Sequence, residues 1–214
     1  ALVPAEGVAA VARAAADHDV LVIHDEVATG FGRTGTLFAS EQCGVQPDLI
    51  TFAKGVNSGY LPIGGVVISE SIASQFDDRV FPGGLTYSGH PLAAASVVAT
   101  IDAMESEGIV DNAKRIGADV LGPGLRELAA KHPIIGDVRG LGVFWALDLV
   151  LDEETRAPVP ASVIGALKKS LLAKGLLPFF ADNRLHVVPP CIVTDEQVAR
   201  ALAIYDEALT EAEA

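Results

Sequence analysis

Residues 47–55 read PDLITFAKG, and residues 20–27 read VLVIHDEV. The first is a short apolar run that begins after a proline and ends in Lys54 beside Gly55, and the second ends in the acids Asp25 and Glu26. As strands of one parallel sheet, the two runs would stand an acid and an amine together at its carboxyl edge, where open α/β sheets place their ligands. The unbroken apolar stretch 20–23 predicts a strand buried on both faces.

Upstream, Val8, Val11, Ala12 and Ala15 share one face of a helix over 6–18, with Pro4 suited to its approach. Helix, strand and helix in alternation predict an α/β fold. After Val27 the chain enters a loop whose Gly30, Gly32 and Gly35 permit turns closed to other residues. A turn over 55–64 leads to a third strand, 65–69. The glycine-rich loop FPGGLTYSGHP, 81–91, runs into a helix with Pro91 in its first turn and a stripe of Ala94, Val97, Val98, Ile101 and Met104.

A further helical stretch to about residue 130 should be kinked or interrupted at Gly122-Pro123-Gly124, because proline removes a backbone donor. Beyond His132 the pattern becomes a small α+β unit. Strands are expected at 143–150 and 185–188, with an amphipathic helix over 162–174 between them. Thr194 and Gln197 have the spacing of a capping box at the start of the last helix. The expected domains are 1–105 and 106–214.

The chain has 214 residues, half of them hydrophobic, which is ample for a core. Fifteen Lys and Arg against 28 Asp and Glu give a net charge of −13, which disfavours nucleic acid and anionic membrane as partners. Mean hydropathy is positive, yet no stretch reaches the roughly 18 uninterrupted apolar residues of a membrane span. Cys43 and Cys191 are isolated and match no metal or redox spacing, so a reduced cytoplasmic setting is expected. The start of the chain lacks a basic leader and an initiator methionine, the pattern expected of a fragment or a processed product.

Lys54 could form a Schiff base if its amine were desolvated or placed near another cation. A solvated lysine opening a loop is the plain alternative, and a lone Asp25 could equally anchor loop amides. Together the two residues suit pyridoxal phosphate, which needs a lysine for its aldehyde and an acid for its pyridine nitrogen.

HDEVATGFGRTG (24–35), DLITFAKGVNSGYLPIGG (48–65) and GLTYSGHP (84–91) resemble, in order and separation, the signature of class III pyridoxal phosphate aminotransferases, the omega-transaminase group. The resemblance implies the C-terminal half of a fold-type I transferase: part of a mainly parallel large-domain sheet, followed by a small α+β domain. It also implies roles for individual residues. Asp25 would pair with the pyridine nitrogen, Val27 would pack on the ring, and Lys54 would form the aldimine and shuttle the proton. Thr86 would bind the cofactor phosphate of the neighbouring subunit of a homodimer.

The chain also departs from this family. Its members are about twice as long, and the missing half, with the remaining strands, the phosphate loop and an aromatic over the ring, would precede Ala1. Transamination is therefore expected only if a separate chain supplies that half. The places of the relatives' carboxylate-binding arginine hold Leu177 and His186, which leaves Arg184 as the candidate substitute. Ala28 stands where many α-amino-acid members carry a glutamine, which leans toward an amine or ω-amino acid donor and a 2-oxo acid acceptor. His24, His90 and Arg139 are expected to be structural, the first in a strand and the others in turns beside glycines.

Three other functions are compatible with the sequence. Aminomutase, racemase or decarboxylase chemistry would use the same fold and cofactor. A non-catalytic fragment is another. The motif VLVIHDE also fits an ATPase metal site, but no phosphate-loop GxxxxGK[ST] accompanies it.

Overall fold

Asp48 sets the register of the first sheet. Its Oδ2 accepts the Val22 amide at 2.8 Å, while the Val22 carbonyl accepts the amides of Asp48 and Leu49. Strand β1 (Ile23–Asp25) therefore runs parallel to β2 (Leu49–Phe52), with Asp25 opposite Thr51. Strand β3 (Gly65–Ile68) pairs antiparallel with β2, so this three-stranded sheet is mixed. Its Gly65 lies so close beneath Phe52 that an added Cβ would stand 2.5 Å from the ring.

The computed structural model describes residues 2–152 and 154–213 and divides the chain into two units between Val110 and Asp111. The first unit also holds helices α1 (Ala5–Asp17), α2 (Ser40–Cys43), α3 (Glu70–Ala73) and α4 (Pro91–Ser106). Two expectations fail here. The stretch 20–23 is not buried: Val20 and Leu21, which precede β1, and Ile23 within it are each more than half exposed, and β1 pairs only with β2 among the described residues. Helix α4 is also rotated from the expected stripe. It buries Ala93 and Met104 and leaves Val98 exposed, since the face that meets the turn 54–57 carries Ser96, which accepts Asn57 Nδ2 at 3.1 Å.

In the second unit, α5 (Ile109–Arg115), whose last residues belong here, continues through a π-helical turn (Ile116–Leu121) into α6 (Gly122–Lys131). No break occurs at Pro123. It falls in the first turn of α6, where its missing donor costs little, and the wider π turn absorbs the mismatch. Strands β4 (Ile135–Leu141), β5 (Phe144–Leu149), β6 (Phe179–Ala181) and β7 (Arg184–Val187) form an antiparallel sheet ordered β4-β5-β7-β6.

Alternation in this sheet separates its two faces. Trp145, Leu147, Leu149, Leu185 and Val187 point to one side, which is the core, and are all but fully buried. They pack in one cluster with Leu125 and Leu128 of α6, Leu167 and Leu171 of α7 (Ala161–Ala173), and Val198, Tyr205 and Leu209 of α8 (Asp195–Glu213). Each such side chain contributes about 1.5–3 kcal/mol by leaving water.

The capping box forms as expected: Gln197 Oε1 accepts the Thr194 amide at 3.0 Å, and Thr194 Oγ1 accepts the Gln197 amide at 3.3 Å. Thr194→Ala is expected to destabilise the chain by about 1 kcal/mol. A urea midpoint unchanged from the parent would contradict this.

Candidate active site

Parallel pairing of β1 and β2 brings Asp25 and Lys54 to one sheet edge. Asp25 closes β1, and Lys54 lies three residues beyond Thr51, the partner of Asp25. Both side chains are exposed. The Asp25 carboxylate accepts the Val27 amide at 3.0 Å, which turns the chain away from the strand and leaves Val27 half-buried beside it.

The backbone at Lys54 is left-handed, with φ +45°. For a residue with a side chain this conformation costs of order 1–3 kcal/mol and persists only where its surroundings enforce it. Here Val56 and Asn57 are buried to within 1% immediately after it. Asn57 Nδ2 donates to the Leu61 carbonyl at 2.8 Å and to Ser96 Oγ at 3.1 Å, and Asn57 Oδ1 accepts the Gly59 amide. Gly55 passes so close to Phe31 that an added Cβ would stand 3.1 Å from the Phe31 Cβ. Phe31, Val56 and Met104 form the small core below. Lys54 is thus an exposed amine on a rigid mount.

Glu26 is the residue the sequence did not single out. It is 2% exposed, and its carboxylate accepts Thr29 Oγ1 at 2.5 Å and the amides of Ala39 and Ser40 at 3.0 and 2.7 Å. It caps α2 and so ties the glycine-rich loop to the end of β1. The only hint was its place beside Asp25 in the run HDEV.

Thr86 lies in an exposed turn, 85–88, just ahead of α4, in which the Ser88 amide donates to the Leu85 carbonyl at 3.0 Å. His24 is in β1, and His90 immediately precedes α4.

Arg184 belongs to the second unit, on the sheet face opposite the core. It sits in β7 and donates Nε to Asp148 Oδ1 at 3.2 Å. Arg139 is not in a turn, as expected, but in the middle of β4, where it grips Asp148 with two bonds of 2.7 and 2.8 Å and also bonds Asp137. The hydrogen bonds from Arg139 hold the Asp148 carboxyl below its ordinary range against the opposing effect of burial, and those with Asp148 raise Arg139 in turn. His186 stands in the next row, between Phe144 and Phe179, with its Nε2 buried and unbonded among the described residues. Burial, then Arg184 and Arg139, push its pKa down, so the ring is neutral.

The aminotransferase class-III model matches residues 2–209. The chain belongs to that family. It is 42% identical over 199 residues to the 5-aminovalerate aminotransferase of Pseudomonas putida, which covers 91% of this chain and 45% of that protein. With the taurine–pyruvate aminotransferase of Bilophila wadsworthia it shares 37% identity over 226 residues, covering 99% and 49%. Among solved structures, the taurine:2-oxoglutarate aminotransferase of Bifidobacterium kashiwanohense, in complex with PLP and glutamate, superposes with a TM-score of 0.93 at 38% identity, over 98% of this chain and 48% of that one. The chain therefore spans about half the length of the relatives it matches, and its mixed α/β fold corresponds to part of theirs. Class III aminotransferases use pyridoxal 5′-phosphate.

Proposed function

We propose that this chain carries the lysine-bearing part of a transaminase that moves an amino group from an amine or ω-amino acid to a 2-oxo acid such as pyruvate, in a ping-pong sequence. The observation that carries the proposal is the left-handed, buried mount that presents Lys54 at the strand edge it shares with Asp25. The donor set fits the cofactor. A primary amine suits an aldehyde, a carboxylate suits a pyridinium, and Thr86 with the turn ahead of α4 supplies donors for a phosphate of the neighbouring subunit.

Bound there, pyridoxal phosphate would supply an electron sink for the carbon bearing the amino group. Lys54 would hold the cofactor's aldehyde through its amine and, when freed from it by the substrate, would take the proton from the substrate carbon and return it. The Asp25 carboxylate would hold the ring nitrogen and favour its protonated form. Val27 offers an apolar surface to one face of the ring. Arg184, steadied by Asp148 and flanked by the neutral His186, is the proposed contact for an acidic group on the substrate.

The exposed apolar residues on the first sheet support a further element of the proposal. Ile23, Val66, Val67 and Ile68 are each two-fifths or more exposed, although runs of this kind belong to strands covered on both faces. The cover is a polypeptide equivalent to the other half of the relatives, and the working form is a homodimer with shared sites. Cys43 and Cys191 match no metal or redox-pair spacing, and the proposed setting is the cytoplasm; no helix among the described residues is long and apolar enough to cross a membrane.

The test is to mix the purified chain with pyridoxal phosphate, an ω-amino acid as amino donor and pyruvate, with and without a co-expressed N-terminal half from a relative. Absorption of the lysine-bound cofactor and alanine formation are expected only with both halves. Full turnover by the chain alone would overturn the requirement for a second half, and no cofactor binding in either mixture would overturn the function.

A further inference from the structure

The second unit contains one buried histidine that is in contact with charge on both sides. We propose that His132 is a proton-operated latch: as an imidazolium it holds Asp206 and Glu213 at once, and on losing a proton it releases Glu213 and frees the last turn of α8. His132 ends the helical stretch of α6 and is 2% exposed. Its Nδ1 lies 2.7 Å from Glu213 Oε2, and its Nε2 lies 2.7 Å from Asp206 Oδ1. A neutral imidazole has one N–H and one lone pair, so it can satisfy only one of two facing carboxylates. With both carboxylates ionised, the two contacts are satisfied together only when both nitrogens donate.

The surrounding charges decide which contact gives way. Lys131 Nζ, from the adjacent position of α6, also bonds Asp206, at 2.6 Å to Oδ1. Asp206 therefore keeps a cation whatever the state of the ring, and Lys131 first and His132 second hold its carboxyl below the ordinary range. Among the described residues, Glu213 has the Ile134 amide, at 3.2 Å, as its one hydrogen-bond partner besides the ring. Glu213 is thus the group released.

The balance on the ring can be read with its sign. Burial pulls the pKa of His132 down, but its hydrogen bonds to Glu213 and Asp206 outweigh it, and the net displacement from 6.5 is upward. A raised folded value means that the stabilisation is complete below 6.5 and is lost as pH rises through the folded value. Opening of the turn takes Glu213 from the ring and lowers the pKa that it raised, so opening is coupled to proton release and its constant rises with pH, by at most about tenfold per unit.

The inference does not depend on the transaminase proposal and is tested on the whole chain. Nitrogen chemical shifts of the His132 ring distinguish the imidazolium from either neutral form, and amide exchange under conditions that report opening equilibria reads the last turn of α8. Both nitrogens are expected to stay protonated above pH 6.5, with the opening constant rising with pH, by at most about tenfold per unit, and levelling off once the native ring deprotonates. Glu213→Gln, at an exposed position, should lower the His132 titration and remove that dependence while the chain stays folded. A ring that is neutral at pH 6, or an opening constant that ignores the ring's titration, would overturn the latch. So would a Glu213→Gln chain that titrates like the parent.

Discussion

Lys54→Ala is expected to lower the transamination rate of the completed protein by about 10⁴-fold or more. A positioned acid–base group alone contributes about 10²–10⁴-fold, and Lys54 is also the proposed nucleophile. Lys54→Arg should be no better, because a guanidinium stays charged at any working pH and cannot attack a carbonyl. The left-handed backbone at this position adds a second readout: Lys54→Gly should relieve strain of order 1–3 kcal/mol while removing the amine. The glycine variant is therefore expected to be inactive yet at least as stable as the parent. Borohydride treatment of the parent with bound cofactor should attach the label to the peptide containing Lys54. A label on another lysine would remove Lys54 from its proposed role, and substantial turnover by Lys54→Ala would do the same.

Gly117→Ala is expected to cause the largest loss of stability in the second unit. An added Cβ would stand 1.9 Å from the Gly142 carbonyl oxygen and 2.3 Å from its carbon. Both obstacles are backbone, so no rotamer change relieves the clash, and the π turn must separate from the chain ahead of β5. Overpacking a core costs about 1–3 kcal/mol even where side chains can adjust, so about 3 kcal/mol or more is expected here. For a unit of this size that lowers the thermal midpoint by more than about 10 °C. Gly165→Ala, where no heavy atom lies within 4 Å of the added carbon, is the matched control and should leave the midpoint unchanged or slightly raised. A Gly117→Ala chain that melts with the parent would mean that the π turn is not packed as described.

The elements that the sequence made legible are those whose apolar pattern is local. Strands 49–52 and 65–68, the helices around Ala5–Asp17, Ala161–Ala173 and Asp195–Glu213, and the capping box all carry their own signal. Strand β4 was not foreseen, because its sequence IGDVRGL contains two glycines and two charged residues, Asp137 and Arg139, and so lacks a clear apolar alternation. Those glycines are explained only by the neighbouring strand. A Cβ on Gly136 would meet Val150, and one on Gly140 would meet Trp145, both within 2.6 Å. Arg139 was misplaced for the same reason, since the flanking Gly140 suggested a turn and Asp148, its partner in the next strand, lies nine residues away.

For the candidate site, residue identities were legible but the mount was not. The words around Asp25 and Lys54 pointed to an acid and an amine at one edge, and strand pairing puts them there. Nothing in the words DEV and KGVN distinguishes an exposed Asp25 from a buried Glu26, or an Asn57 that bridges Leu61 and Ser96 from an ordinary turn asparagine. Those distinctions depend on contacts with residues up to thirty-nine positions away.

The contrast between the two units bears on regulation by supply. In the second unit, helices and sheet enclose a continuous core, whereas the first presents Lys54 and Asp25 on a sheet with apolar faces in water. Whatever polypeptide covers those faces would stabilise the fold and complete the site in the same binding event. Catalytic output would then follow mass action, rising with the concentration of the covering partner over its dissociation constant.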